Sequence, residues 1–414
     1  MPSERTTVTE LGTGLGMLGL AGVDEAIRSR SSVMRSLSPE MWERLATLRA
    51  GGAYDAEFHA AWANGQAFLA ATDGLRGRLP QLVEWKGTGR APGDEVAPID
   101  LRVDYVYLVS CKYVSKILFN VSPAHVFDAL LIGGARGGRA GRDELPGGDW
   151  YAEVAPAEYQ ALYEAVRGAA QEAPGCASGG GPGAEPAGRL RTDAGRHGSG
   201  TGPEAVSLPG LGVADVAHPA PPGTRARRGG GRDEAPGASP AALRDLPARA
   251  VDLSSPQRDA LGRWLRPGWP PAAKERYAAL SDAVARASVR RWEDALAVGG
   301  GTDEAMVWRL LRVGSAPYFV LGSSESRSLR LRIATTWDWR QQYRLVALEV
   351  EAQRGGQPRV GWAATVRDRA SHAVHTVGGH MEVRWSHGRF GGPPEAKGYL
   401  DTPHHLVPGY VTLR

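Results

Sequence analysis

The chain holds only two cysteines, Cys111 and Cys176, among 414 residues. One stands in an apolar run and the other in a Gly-rich tract, so no structural disulfide is expected and the usage fits a reducing cytoplasm. No stretch reaches the run of about 18 apolar residues that a membrane span needs. The opening MPSERTTVTELGTGLGMLGLAG has no charged region leading into a long apolar core, which argues against a secretion signal. Lysine is scarce beside arginine, a skew that a GC-rich coding sequence produces by itself. There is no G-x-S-x-G, no phosphate-binding loop and no convincing Ser-His-Asp arrangement. Gly14 to Gly19 fits G-x-G-x-x-G, but TTVTEL before it is too short and polar for the strand of a dinucleotide-binding turn. These glycines are read as a flexible turn near the N-terminus.

What is present suffices for folded domains. Apolar residues make up 42% of the chain, charged residues 23%, and the net charge is +4. That balance, with a pI near 9.1, permits a polyanionic partner without demanding one. Residues 173–248 are rich in Gly, Pro, Ala and Arg and hold no hydrophobic period, so they are expected to form a disordered linker. They separate an N-terminal part, 1–172, from a C-terminal part, 249–414.

In the N-terminal part, Ser38-Pro39-Glu40 opens a helix with a cap, a proline at the first position and an acid in the first turn. DAEFHAAWANGQAFL, from Asp55 to Leu69, reads as a second helix. Leu79–Trp85, Ile99–Val103 and Val106–Tyr113 read as strands, with Asp104-Tyr105 between the last two. Ser115–Asn120 and Pro123–Leu131 read as short helical pieces. In the C-terminal part, helices are expected over Pro256–Leu265, Ala272–Ala287 and from Asp303 to Leu311. After Pro317 the texture becomes short β-rich pieces, consistent with an antiparallel sheet or partial barrel of about five strands.

The segment Pro98–Tyr113, PIDLRVDYVYLVSCKY, carries the chemistry. An acid, Asp100, opens one strand, and Ser110-Cys111-Lys112 closes the next. Ser110 and Lys112 share a face, and Asp100 can lie on the neighbouring strand. This layout resembles the metal-dependent PD-(D/E)xK nucleases, in the S-x-K form found in restriction-type members, over roughly Glu57 to Lys112. The resemblance implies an α/β or α+β restriction-endonuclease-like core, a mixed sheet flanked by helices, followed by the β-rich C-terminal domain. It implies Mg²⁺ or Mn²⁺, hydrolysis of phosphodiester bonds in DNA, and a role in restriction or phage defence; it admits a homodimer. Asp100 would be the metal-binding acid, Lys112 the catalytic lysine and the carbonyl of Cys111 a further ligand. Ser110 stands where most members carry Asp or Glu, so a second carboxylate must come from elsewhere. Glu57 on the upstream helix and Glu84 in LVEW are the candidates, and Asp104 is an alternative to Asp100.

Arg384, Trp385, His387, Arg389 and Phe390 interleave basic and aromatic side chains, a composition suited to phosphate contact and base stacking and equally to a half-buried strand. His380 to His387, with His404 and His405, fits no standard zinc spacing. Glu395-Ala396-Lys397 is read as a loop with an ion pair. The competing reading for the whole chain is a non-catalytic binding module with a degenerate nuclease-like fold, which Ser110 favours.

Overall fold

The computed structural model describes residues 3–87, 99–113, 117–124, 126–127, 149–173, 243–298, 303–324, 327–385 and 388–414. It is a mixed α and β structure with two sheets and, among the described residues, no helix long and apolar enough to cross a membrane. Most of 173–248, the expected linker, lies outside the described residues. So does most of the helical piece expected over Pro123–Leu131.

Helix α1, Glu4–Gly16, starts at Ser3, whose side chain accepts from the Thr6 N–H. Every residue from Thr7 to Gly16 is buried. The hydroxyls survive burial by bonding back along the helix, Thr9 to the Arg5 carbonyl and Thr13 to the Thr9 carbonyl, each at 2.8 Å. Helices α2 (Val23–Ser29), α3 (Pro39–Ala50) and α4 (Asp55–Ala70) follow. The turn expected at Gly14–Gly19 is therefore helical up to Gly16. Those glycines serve packing: a Cβ on Gly16 would lie 2.3 Å from the Trp62 carbonyl oxygen, and one on Gly65 would lie 2.1 Å from that of Thr13. Only side-chain-free positions let α1 and α4 approach this closely.

Strands β1 (Met34–Arg35), β2 (Val83–Trp85), β3 (Leu101–Val103) and β4 (Tyr107–Tyr113) form half of a seven-stranded sheet. The β3–β4 hairpin turns on Asp104 and Tyr105, both at positive φ, with Val106 N–H returning to the Val103 carbonyl at 3.1 Å. Asp104 is tied down at this turn: it accepts from the Gln81 and Leu82 N–H groups and pairs with Arg78 at 2.6 Å.

Beyond β4 the chain enters β5 (Ile117–Val121), a strand and not the helical piece expected over Ser115–Asn120. Helices α5 (Trp150–Val154) and α6 (Pro156–Glu172) come next, then α7 (Ser255–Trp264), the 28-residue α8 (Pro271–Val298) and α9 (Asp303–Leu310). Strand β6 (Tyr318–Ser324) then pairs parallel with β4, and β7 (Arg327–Ile333) pairs antiparallel with β6. A short helix, α10 (Thr336–Gln342), leads into β8 (Tyr343–Gln353), β9 (Arg359–Asp368), β10 (Val374–Arg384) and β11 (Glu395–Leu400). These four make a second, antiparallel sheet with β5 at its edge, and β12 (Tyr410–Thr412) closes the first sheet beside β7. The Glu395–Lys397 ion pair, 3.7 Å, sits on a strand of this sheet rather than in a loop. Both sheets draw strands from either side of 173–248.

Alternate residues of the first sheet point to opposite faces, and apolar side chains pack on each. Leu101, Val109, Cys111, Phe319 and Leu321 pack against α1–α4. Tyr318, Val320, Leu331 and Ile333 point the other way, into the core shared by the later helices and the second sheet. Each fully buried aromatic such as Phe58, Phe68 or Phe319 contributes about 2 kcal/mol of hydrophobic stabilisation.

Candidate active site

The sequence places an acid at the start of β3 because β3 is short: it begins at Leu101 while β4 runs on to Tyr113. Past Leu101 the β4 edge has no further β3 partner. The Asp100 carboxylate fills that gap. Its Oδ2 accepts from the Cys111 N–H at 2.6 Å and from the Ser110 hydroxyl at 3.2 Å. Asp100 and Lys112 are only partly exposed, and Ser110 is fully buried.

Glu10 supplies a second carboxylate, from α1. It is 7% exposed and accepts from Trp85 Nε1 at 2.7 Å. Burial, and then the Asp100 charge, push its carboxyl up to about 8, while Lys112 pulls it back. Burial likewise raises Asp100, opposed by Lys112 and by the Cys111 and Ser110 hydrogen bonds. Burial lowers Lys112, and so does the neighbouring guanidinium of Arg312. The Cys111 thiol, against Thr13, is driven up by desolvation and so is inert as a nucleophile.

Arg312 belongs to the same cluster although it lies two hundred residues later. It occupies the position after the end of α9 that glycine usually holds, with φ of 59°. Arg312 N–H bonds to the Arg309 carbonyl at 3.1 Å and Val313 N–H to the Trp308 carbonyl at 2.7 Å, which closes the helix. A left-handed backbone costs a residue other than glycine about 1 kcal/mol. Its Nη1 donates to the Tyr318 hydroxyl at 2.6 Å. The Tyr318 hydroxyl also bonds Ser110, which in turn bonds Asp100. A continuous polar chain thus joins Arg312 to the hairpin.

Asp100, Ser110, Cys111 and Lys112 are together, as the hairpin reading implied. The two glutamates weighed with them form ion pairs with other residues. Glu57 starts α4 and pairs with Arg5 at 3.0 Å. Glu84 alternates with Val83 and Trp85, and through its register with Arg102 and Leu108 it shares the sheet face of Ser110 and Lys112; it lies 3.5 Å from Lys86 and 3.8 Å from Arg102. Glu10, by contrast, feels the charges of both Asp100 and Lys112. Its signal was the spacing of Val8, Leu11 and Leu15 through a segment that looks like an N-terminal turn. Arg312 left no comparable signal.

The second group of candidate residues lies on the other sheet. Trp385 packs edge-on against Tyr151 at 4.6 Å and beside Phe390 at 5.1 Å, with Trp269 at 6.0 Å. Arg384 pairs with buried Glu382 at 3.2 Å. Arg389 lies over the Trp269 ring at 4.8 Å and donates to the Leu265 carbonyl. His387 lies outside the described residues. The aromatic faces that base stacking would use are taken by neighbouring rings.

Burial raises both carboxyls, and the Asp100 charge raises Glu10 further, with Lys112 and Arg312 as the cations of the cluster; a small divalent cation would stabilise the two carboxylates in their charged form. Mg²⁺ takes only one or two protein carboxylates, with waters and phosphate oxygens completing its shell. The pair Glu10 and Asp100 fits that demand; among the described residues no cluster of three or more His, Cys, Asp or Glu side chains is arranged to hold a metal. Compared with family models, with curated proteins and with solved structures, the chain matches none.

Proposed function

We propose that the chain is a metal-dependent nuclease that hydrolyses phosphodiester bonds in DNA, of the PD-(D/E)xK kind, with restriction or phage defence as its setting. The observation that carries this reading is the acid and lysine brought together on the β3–β4 hairpin, Asp100 bonded to Ser110 and to the Cys111 N–H beside Lys112, with Glu10 in the field of Asp100 and Lys112. A helix bearing an acid, a hairpin bearing acid and lysine, and a parallel strand beside it support the same reading.

Glu10 and Asp100 would hold Mg²⁺ or Mn²⁺. The bound cation supplies charge neutralisation at the scissile phosphate and a more acidic water. Asp100 is positioned for this by the Cys111 N–H, and Glu10 by the Trp85 indole. Glu10 must give up a proton held up to about 8 when the cation enters, so loading is steeper with pH than for an ordinary carboxylate pair. Lys112, its ammonium made more acidic by burial and by Arg312, orients or deprotonates the attacking water at Nζ. Ser110 takes no part as a ligand; it fixes Asp100.

Ser110 in place of a third carboxylate favours a second reading, a DNA-binding module without cleavage. Plasmid and phage DNA incubated with Mg²⁺, Mn²⁺ or EDTA, beside a Lys112→Ala variant, separates them. Metal-dependent cutting lost in the variant establishes the nuclease. Salt-sensitive binding without cutting establishes the module.

A further inference from the structure

Arg312 is 2% exposed, yet among the described residues its Nε and Nη2 hydrogens have no partner, while Nη1 is bound to Tyr318. A buried guanidinium with two open donors is an unfavourable arrangement unless something accepts from them. The side chain is held there against its backbone, in a left-handed position where glycine is the usual residue. Nη1 is held by the Tyr318 hydroxyl, and the guanidinium lies 5.7 Å from the Tyr318 ring centroid. Its charge reaches both Asp100 and Lys112. Ser110 matters here: a carboxylate at that position would neutralise Arg312, whereas a hydroxyl leaves the guanidinium's charge available.

We infer that Arg312 is a phosphate-binding residue of the candidate active site, its Nε and Nη2 donating to the non-bridging oxygens of a DNA phosphodiester. Two parallel N–H donors on a fixed plane match two oxygens on one phosphorus, which a lysine ammonium cannot do. The phosphate enters between Asp100 and Lys112, the partly exposed members of the cluster. The choice of a phosphodiester rests on the nuclease reading; the anion site itself does not.

The test uses the full chain in EDTA, so that no cleavage contributes, and titrates inorganic phosphate and dimethyl phosphate by calorimetry. Wild type is expected to bind both. Arg312→Lys, which keeps the charge but not the fork, is expected to weaken both at least ten-fold. Arg312→Gly, which relaxes the backbone and removes the guanidinium, is expected to abolish binding while keeping the wild-type near-ultraviolet circular dichroism. Binding of inorganic phosphate alone, without dimethyl phosphate, would overturn the diester assignment. No binding by wild type, or equal binding by Arg312→Lys, would overturn the inference; a buried water then satisfies the open donors. Should the variants not fold, the arginine Nε–H resonances of the wild-type chain decide: one must shift on adding phosphate, and none shifting overturns the inference. Phosphate binding through Arg312 with no cutting of DNA would sink only the nuclease reading. Cutting that Arg312→Lys leaves unchanged would sink only the Arg312 assignment.

Discussion

The indole of Trp85 donates to Glu10 across 2.7 Å, fastening a buried carboxyl on α1 to β2, next to the edge of the first sheet. The charges of Asp100 and Lys112 both reach Glu10. This one bond ties α1 to β2, the strand that pairs with the hairpin carrying the candidate chemistry.

Glu10 makes stability depend on pH with a definite sign. Its carboxyl is raised in the folded chain to about 8 from an ordinary 4.5, so the folded state holds a proton that the unfolded state has released. Stabilisation is complete below about pH 4.5 and is lost as pH rises towards 8, by an amount on the order of 2–4 kcal/mol. Urea unfolding at pH 5 and pH 8.5 measures it. Glu10→Gln should flatten the slope between those values, and a slope unchanged in that variant would show that another group is responsible.

The same residue separates the three glutamates by function. Glu10→Gln should lower metal-dependent cutting by about a hundred-fold or more. Glu57→Gln and Glu84→Gln should leave it within about two-fold, each losing only a partly exposed ion pair worth about 0–1 kcal/mol. Initial rates on supercoiled plasmid decide the order. A large loss in Glu57→Gln alone would displace Glu10 from the site.

Asp100→Asn keeps an oxygen that accepts from Cys111 N–H and Ser110 and removes the charge. The variant should melt within a few degrees of wild type and lose cutting by about a hundred-fold or more. Differential scanning calorimetry beside the plasmid assay checks both halves. A collapse of the melting temperature with activity retained would contradict the assignment.

Gly322 is the β6 partner of Lys112, and a Cβ there would meet the Lys112 carbonyl at 2.4 Å and its Cβ at 2.9 Å. Gly322→Ala should cost about 1–3 kcal/mol of stability. It should also reduce cutting, because the strand carrying Lys112 must move. Gly65→Ala, whose Cβ would meet the Thr13 carbonyl at 2.1 Å, should cost a similar amount of stability. Comparing residual activity at equal distance below each melting temperature isolates the Lys112 effect.

The parts of this fold that were legible are those set by local chemistry. Ser38-Pro39-Glu40 opens α3, and alternation through LRLRI gives β7. The acid and lysine of the hairpin come together because β3 and β4 are adjacent in sequence. What was not legible depends on distant contacts. The glycines of α1 look like a turn until α4 is seen packed on them. Ile117–Val121 holds Ile, Phe and Val, which favour a strand, yet it falls in a piece expected to be helical, and it is the pairing with β11 that settles it as β. Trp385 suits a stacking platform by composition, and its neighbours Tyr151 and Trp269 come from elements far away in sequence.

Strands β4 and β6 pair in parallel although Leu108 and its partner Tyr318 stand about two hundred residues apart. At a synthesis rate of about 5–20 residues per second, Lys112 leaves the ribosome about 10–40 s before the strand that lies beside it. A nascent chain in that interval carries Glu10, Asp100 and Lys112 but neither Gly322 nor Arg312. The cluster is therefore assembled only once β6 has been made, and a product truncated before it leaves the cluster unfinished.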